Sequence, residues 1–113
     1  MLAKINRLRK DKDFANLVKG GRICYGQELS LRFRPNNLPQ SRWGFVVSKK
    51  VDKRAVIRNQ IKRRLRAIVR QNLGHLKSGL DVMVLTRAEI KNLTYGQLKD
   101  TFLSLLKKAD LMI

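Results

Sequence analysis

The side chains able to take part in binding or catalysis are concentrated in one basic stretch, Ser48 to Arg70. From Lys49 onward it holds ten lysines and arginines and a single acid, Asp52. The segment from Arg54 predicts an amphipathic helix, because its aliphatic residues cluster on one side at about 100° per residue. The other side has no glutamate to pair with its cations at i,i+4 spacing. Such a face is typical of a polyanion-binding surface, although a solvated helix face shows the same pattern.

The helical projection separates two groups of residues. The apolar stripe consists of Ile57, Ile61, Leu65, Ile68 and Val69. The basic side consists of Asn59, Lys62, Arg63, Arg66 and Arg70, with Arg58 and Arg64 on its flanks. Burial of the stripe in a core leaves the basic side exposed.

Groups for acid–base, nucleophilic or metal catalysis are scarce. The eight acids are scattered, and only Asp11 and Asp13 are close in sequence, where they favour the start of a helix. His75 is the only histidine and Cys24 the only cysteine, which excludes a histidine acid–base pair and a structural zinc site within one chain. The phosphate-loop pattern G-x-x-x-x-G-K-[ST] is absent. We therefore predict no catalytic residue and no metal ligand in this chain.

Composition favours a nucleic-acid partner. The 113 residues carry a formal charge of +18 and are 43% hydrophobic, which predicts one folded domain over residues 1–113 that attracts polyanions. Apolar runs are too short to span a membrane, and the start lacks a signal core, so we expect a cytoplasmic protein. The basic helix lacks the anchors of a membrane-surface helix, and no duplex-reading motif is present. A folded RNA is therefore the favoured partner.

The predicted elements alternate between helix and strand. Residues 1–10 read as a basic arm, and a helix from Lys12 to Lys19 follows it. Strands are predicted at Arg22–Tyr25, Leu29–Arg34, Trp43–Ser48 and Asp81–Thr86, with a helical turn at Ala88–Asn92 and a last helix from Thr94. The order α-β-β-β-α-β-α predicts an α+β sandwich of one sheet with helices.

The residue patterns of two strands also predict which of their faces are buried. In the second strand, Leu29, Leu31 and Phe33 share one face. The opposite face is predicted to be wet and consists of Ser30, Arg32 and Arg34. The third strand is apolar on both faces, which predicts a central position in the sheet.

The segment R-N-Q-I-K-R-R-L-R, Arg58 to Arg66, resembles the signature of the protein subunit of bacterial ribonuclease P. The similarity extends to R-W-G-F-V-V-S-K-K from Arg42, to Arg7-Leu8, to Phe14 in a glycine-ended helix and to G-x-D-V from Gly79. Gln60 stands where that family usually has an arginine, and Asp52-Lys53 replaces a small joint that often contains glycine.

The resemblance implies a two-layer sandwich whose mixed four-stranded sheet has a left-handed β-α-β crossover through the basic helix. It implies an accessory subunit, monomeric in the holoenzyme, of an endoribonuclease that removes the 5′ leader from precursor tRNA. The catalyst is then the RNA subunit, which binds most of the required Mg²⁺. The implied RNA-subunit contacts are Lys49, Lys50, Arg54, Arg58, Asn59, Lys62, Arg63, Arg66 and Arg70. The implied leader contacts are Phe14, Val18, Ser30, Arg32 and Arg34. A ribosomal or other structural RNA-binding protein, and a DNA-architectural protein, remain alternatives because they share charge and size.

Overall fold

Three helices and four strands follow one another in the predicted order. The computed structural model describes residues 2–113; Met1, the first residue of the predicted arm, lies outside them. The helices are α1 (Asp11–Gly20), α2 (Ala55–Asn72) and α3 (Tyr95–Lys108). The strands are β1 (Arg22–Cys24), β2 (Leu29–Pro35), β3 (Arg42–Val46) and β4 (Leu80–Thr86). Short 3-10 helices lie at Lys4–Asn6, Leu73–His75 and Ala88–Asn92.

The strands form one mixed sheet in the order β1-β2-β4-β3. The β1–β2 and β2–β4 pairs are antiparallel, whereas β3 and β4 are parallel and joined through α2. These pairings confirm the α+β class and the mixed four-stranded sheet.

The predicted central position of β3 is wrong, because β3 is an edge strand and β4 is central. Trp43 and Gly44 are nevertheless buried, one on each face of the strand, whereas Val46 at its end is exposed. The N-terminal arm also protects its free edge, where the Leu8 N–H donates to the Trp43 carbonyl at 2.9 Å. A hydrogen-bonded arm of this kind is one way to shield an exposed strand edge.

The larger core lies between the sheet and the two longer helices. The stripe of α2 is buried against Val82 and Val84 of β4, except that Ile57 is only half-buried. From α3, Phe102 meets Trp43 edge to face with ring centroids 6.4 Å apart. At the start of α3, Thr94 and Gln97 form the predicted capping box.

A smaller core covers the opposite face of the sheet. Its buried members are Leu8 of the arm, Leu17 of α1 and Met83 of β4, with Phe14 and Leu85 packed against them. The two-layer prediction therefore describes only the larger core, because α1 adds a layer on the second face. Among the apolar residues of the arm, Leu2 and Leu8 are buried, whereas Ile5 is 60% exposed.

The contact between Phe14 and Gly44 determines how closely α1 approaches the sheet. A methyl group added at Gly44 would lie 2.6 Å from Cζ of Phe14 and 2.7 Å from its Cε1. Such distances are well inside van der Waals contact, so any larger residue in the middle of β3 must displace the ring.

We expect Gly44→Ala to destabilise the protein by roughly 1–3 kcal/mol, because the core between α1 and β3 becomes overpacked. The Phe14→Leu change should relieve part of this cost in the double variant, which a urea-denaturation double-mutant cycle measures. Gly96→Ala is the matched control, since a methyl group at that helical glycine meets no atom within 4 Å. Strictly additive effects of the Gly44 and Phe14 changes would contradict this account of the contact.

Candidate nucleic-acid interface

The basic side of α2 faces away from the larger core. Asn59, Arg63 and Arg70 are exposed, and Lys62 and Arg66 are half-buried. Lys49 and Lys50, just before the helix, are exposed as well. Within residues 2–113, none of these lysines and arginines forms an ion pair with a carboxylate. The helix therefore presents a row of cations whose mutual repulsion no protein carboxylate offsets.

Two of the predicted RNA contacts, Arg54 and Arg58, also make hydrogen bonds that hold the start of α2. The Asp52 carboxylate accepts hydrogen bonds from the Arg54 backbone N–H at 2.8 Å and from its Nε at 3.1 Å. Lys91 approaches the same carboxylate at 3.4 Å. Nη1 of Arg58 donates to the backbone carbonyls of Asp52 and Lys53, at 3.0 and 2.8 Å. Hydrogen bonds from Arg54 hold the pKa of Asp52 well below its usual range.

The N-terminus of α2 adds partial positive charge to this surface. Arg54 is the N-cap residue without a side-chain cap, and the first turn contains no acid. The leading N–H groups of a helix have no intrahelical partner, and the helix dipole favours an anion beside them. This end of the helix and the lysines that precede it therefore suit a phosphate.

On the other face of the sheet, β2 sends two arginines to the carbonyl groups of α1. Nη1 of Arg32 donates to the Val18 carbonyl at 3.1 Å, and Nη1 of Arg34 donates to the Asn16 carbonyl at 3.4 Å. Cations are favourable near a helix C-terminus, so both arginines help to hold α1 in place. Each guanidinium retains further N–H groups that can reach a ligand phosphate.

The structure brings the predicted leader contacts together around α1. Val18 is 58% exposed, and Phe14 is half-buried over Gly44. The prediction of a wet position is wrong for Ser30, which is only 5% exposed. Ser30 lies on the face that α1 covers, and strand alternation shows which face a side chain occupies but not what covers that face.

Sequence reasoning missed two residues on the α1 face of the sheet, in the same row as Ser30. Val46 of β3 pairs in register with Leu85 of β4, and Leu85 pairs with Ser30. The three therefore form one row on the α1 face, in which Val46 is 36% exposed and Leu85 half-buried. The alternation of β3, which places Val46 on the same face as Gly44, was the available indication.

An ion-pair network fixes the start of α1 to the sheet. Arg42 binds Asp81 through two hydrogen bonds, Nε to Oδ1 at 2.8 Å and Nη2 to Oδ2 at 2.7 Å. Its Nη1 reaches Asp13 of α1 at 3.3 Å. The hydrogen bond to Asp81 raises the pKa of Arg42. Arginine side chains of the sheet therefore hold α1 in place at both of its ends.

The described residues contain no group of three or more histidines, cysteines and acids placed to hold a metal ion. None of the helices in this part of the chain combines the length and apolar character that a membrane span requires.

The sequence was compared with known families and curated proteins. Residues 2–110 match the family model described as Ribonuclease P. A Ribonuclease P protein component from Pseudanabaena sp. is 42% identical, with 99% of this chain and 97% of the relative covered. A second, from Syntrophomonas wolfei, is 36% identical, with 98% and 92% covered.

Solved structures show the same similarity in three dimensions. The Staphylococcus aureus RNase P protein superposes with a TM-score of 0.89 at 28% identity, covering 96% of this chain and 98% of that one. The Thermotoga maritima RNase P protein superposes with a TM-score of 0.82 at 33% identity, and the match covers 90% of this chain and 96% of that one.

We expect Asp52→Asn to lower the midpoint of urea unfolding at pH 7, because the charge that pairs with Arg54 and Lys91 is lost. A carboxyl whose folded-state pKa is depressed stabilises the fold above its unfolded pKa and ceases to do so as pH falls toward the folded value. The difference from the unsubstituted protein should therefore shrink progressively below about pH 4. Asp100→Asn, at an exposed position without an ion pair within residues 2–113, is the control. A difference that does not change with pH would argue against a charge effect.

Proposed function

The chain belongs to the ribonuclease P protein family and is the protein component of that ribonucleoprotein endonuclease; on this premise we propose that its two helical layers bind different RNAs. The basic side of α2 holds the catalytic RNA subunit. The groove between α1 and the sheet, which we call the leader groove, holds the 5′ leader of precursor tRNA. Its lining consists of Phe14, Val18, Arg32, Arg34 and Val46. Membership of the family sets aside the ribosomal and DNA-architectural alternatives.

The observation that carries the proposal is the position of the two surfaces on opposite faces of one sheet. Val82 and Val84 pack toward α2 and α3, whereas Met83 belongs to the core beneath α1. Successive side chains of a strand point to opposite faces, so α2 and α1 lie on different sides of β4. One protein can therefore contact the catalytic RNA and a substrate strand at the same time without the two competing for a surface.

The chemistry of each surface supports its assigned partner. On α2 the surface is formed by lysine, arginine and asparagine side chains and a helix N-terminus, which suit the phosphates and sugars of a folded RNA. Beside α1 the surface has two arginines, one aromatic side chain and the aliphatic side chains of Val18 and Val46. A single strand suits that groove, because its phosphates meet the arginines while its bases meet apolar side chains.

We also propose that the Mg²⁺ required for cleavage is held mainly by the RNA subunit. The donor set of residues 2–113 does not fit a magnesium site of its own. Asp13, Asp52 and Asp81 are each bound by arginine, so their carboxylates are already paired. The protein's contribution is then to bind and orient two RNAs, as a monomer in the cytoplasm where precursor tRNA is processed.

The triple variant Lys62→Ala/Arg63→Ala/Arg66→Ala should bind the catalytic RNA more weakly. Each lost phosphate contact lowers the slope of log K against log salt by about one unit, so we expect a change of about three units. Filter binding of protein to catalytic RNA over a salt series measures both quantities. Thermal unfolding should hardly change, because none of the three lies in the buried stripe.

A matched control removes the same number of cations from α3, as Lys99→Ala/Lys107→Ala/Lys108→Ala. If both triple variants lose equal affinity, the effect reflects overall charge and the α2 surface is not the docking site.

Two single variants test the leader groove. Arg32→Gln removes the charge but retains an N–H donor for the Val18 carbonyl, and Phe14→Leu keeps an apolar side chain over Gly44. Loss of a base stacked on Phe14 costs roughly 1–3 kcal/mol, so the Phe14→Leu holoenzyme should bind a long-leader precursor about five- to 150-fold more weakly. The Arg32→Gln holoenzyme should also bind it more weakly, because a phosphate contact is lost. Both variants should match the unsubstituted protein on a precursor trimmed to one leader nucleotide and in affinity for the catalytic RNA. Equal losses on long and trimmed leaders, in variants that unfold normally, would place the leader elsewhere.

A further inference from the structure

The N-terminal arm and the start of α1 enclose a second basic groove, of about 600 Å³, which shares no residue with the basic side of α2. We call it the arm groove. Its cations are Lys4, Arg7, Arg9, Lys10 and Arg42. The acid among its lining residues in the described chain is Asp13, which Arg42 already binds. This third concentration of positive charge therefore belongs neither to the leader groove nor to the basic side of α2.

The arm groove is held in shape by hydrogen bonds and burial. Leu2 and Leu8 are buried and anchor the arm at both ends. The Leu8 N–H bonds to Trp43, and Nδ2 of Asn6 donates to the Ser41 carbonyl at 3.0 Å. The backbone of Arg7 also pairs with Trp43 as an isolated parallel bridge. A ligand that binds these cations does not have to order a flexible arm first, which reduces the entropic cost of binding.

Several features of the arm groove suit a phosphate backbone with an unpaired base. Lys10, the N-cap residue of α1, makes no side-chain capping hydrogen bond, so its ammonium group can meet a ligand phosphate. Arg7 is half-buried and also lines the groove. Ile5, which is 60% exposed, adds an apolar side chain to this polar lining. A positively charged groove that can follow phosphates, with an exposed apolar side chain that a base can contact, suits single-stranded nucleic acid.

We propose that the arm groove binds phosphates of the 5′ leader and so extends the leader groove past the N-terminal end of α1. This inference rests on the proposed leader-binding function. The leader is favoured over the catalytic RNA because Leu8 and Arg42 place the arm groove on the α1 face of the sheet, opposite α2. A helix of this length spans about 15 Å. Cations thus lie at both ends of α1. Arg32 and Arg34 contact carbonyl groups of its C-terminal half, and the arm cations lie beside its start.

The test uses Lys4→Ala/Arg9→Ala in the reconstituted holoenzyme, because both side chains are exposed and make no hydrogen bond within residues 2–113. Affinity for a long-leader precursor should fall roughly tenfold, with the salt slope reduced by about 1.4 units for two single-strand phosphate contacts. Affinity for a precursor with one leader nucleotide, and for the catalytic RNA, should not change. Lys107→Ala/Lys108→Ala removes the same charge from α3 and should leave all three affinities unchanged.

Several outcomes would overturn the inference. An unchanged affinity for the long leader does so directly. An equal loss on long and one-nucleotide leaders, or a loss of catalytic-RNA affinity, assigns the arm groove to another RNA surface. Arg32→Gln separates this inference from the function it rests on. A leader-dependent loss in Arg32→Gln but not in the arm variant rejects only the arm groove, whereas the reverse pattern supports the arm groove and rejects the leader groove.

Discussion

The central strand β4 is apolar on both of its faces, and the rest of the molecule is arranged to cover both. Val82 and Val84 require the layer formed by α2 and α3, whereas Met83 requires the layer formed by α1 and the N-terminal arm. Each covering helix then turns its outer surface toward solvent. A protein of 113 residues thereby obtains two separate binding surfaces from a single sheet. Had β4 been polar on one face, α1 would have no reason to pack there and the leader groove would lack a wall.

Charge is distributed according to the same division between interior and surface. The chain has 26 lysines and arginines but only eight acids, so most cations have no possible partner within it. Asp13, Asp52 and Asp81 have side chains at most 18% exposed. Asp13 and Asp81 join α1 and β4 to β3 through Arg42, and Asp52 joins the start of α2 to Lys91. These three acids therefore hold secondary-structure elements in position, and unpaired positive charge remains at the helix surfaces. Bound RNA supplies the counter-charge that the protein omits.

Residue patterns predicted the helices and strands well, because each pattern depends on residues that are close in the sequence. The buried stripe of α2 and the Thr94–Gln97 capping box follow from spacing along one helix. The edge position of β3 and the burial of Ser30 depend on what packs across the sheet, which alternation within one strand does not report. The ion pair between Arg42 and Asp13 was equally inaccessible, since it joins residues 29 positions apart. Val46 and Leu85 were not predicted, because their position in the same row as Ser30 depends on the register between β3, β4 and β2.

The strand order also has a consequence for how the chain is synthesised. The sheet's central strand is the last strand to be made, so β2 and β3 have no partner between them until β4 emerges. Val46 and Thr86, which share a hydrogen bond at the end of the β3–β4 pair, are 40 residues apart. At ribosomal rates of about 5–20 residues per second, that gap lasts roughly two to eight seconds. During this interval the nascent chain displays β3 without its β4 partner, together with the cationic α2. The larger core is completed only after β4 and then α3 have been made.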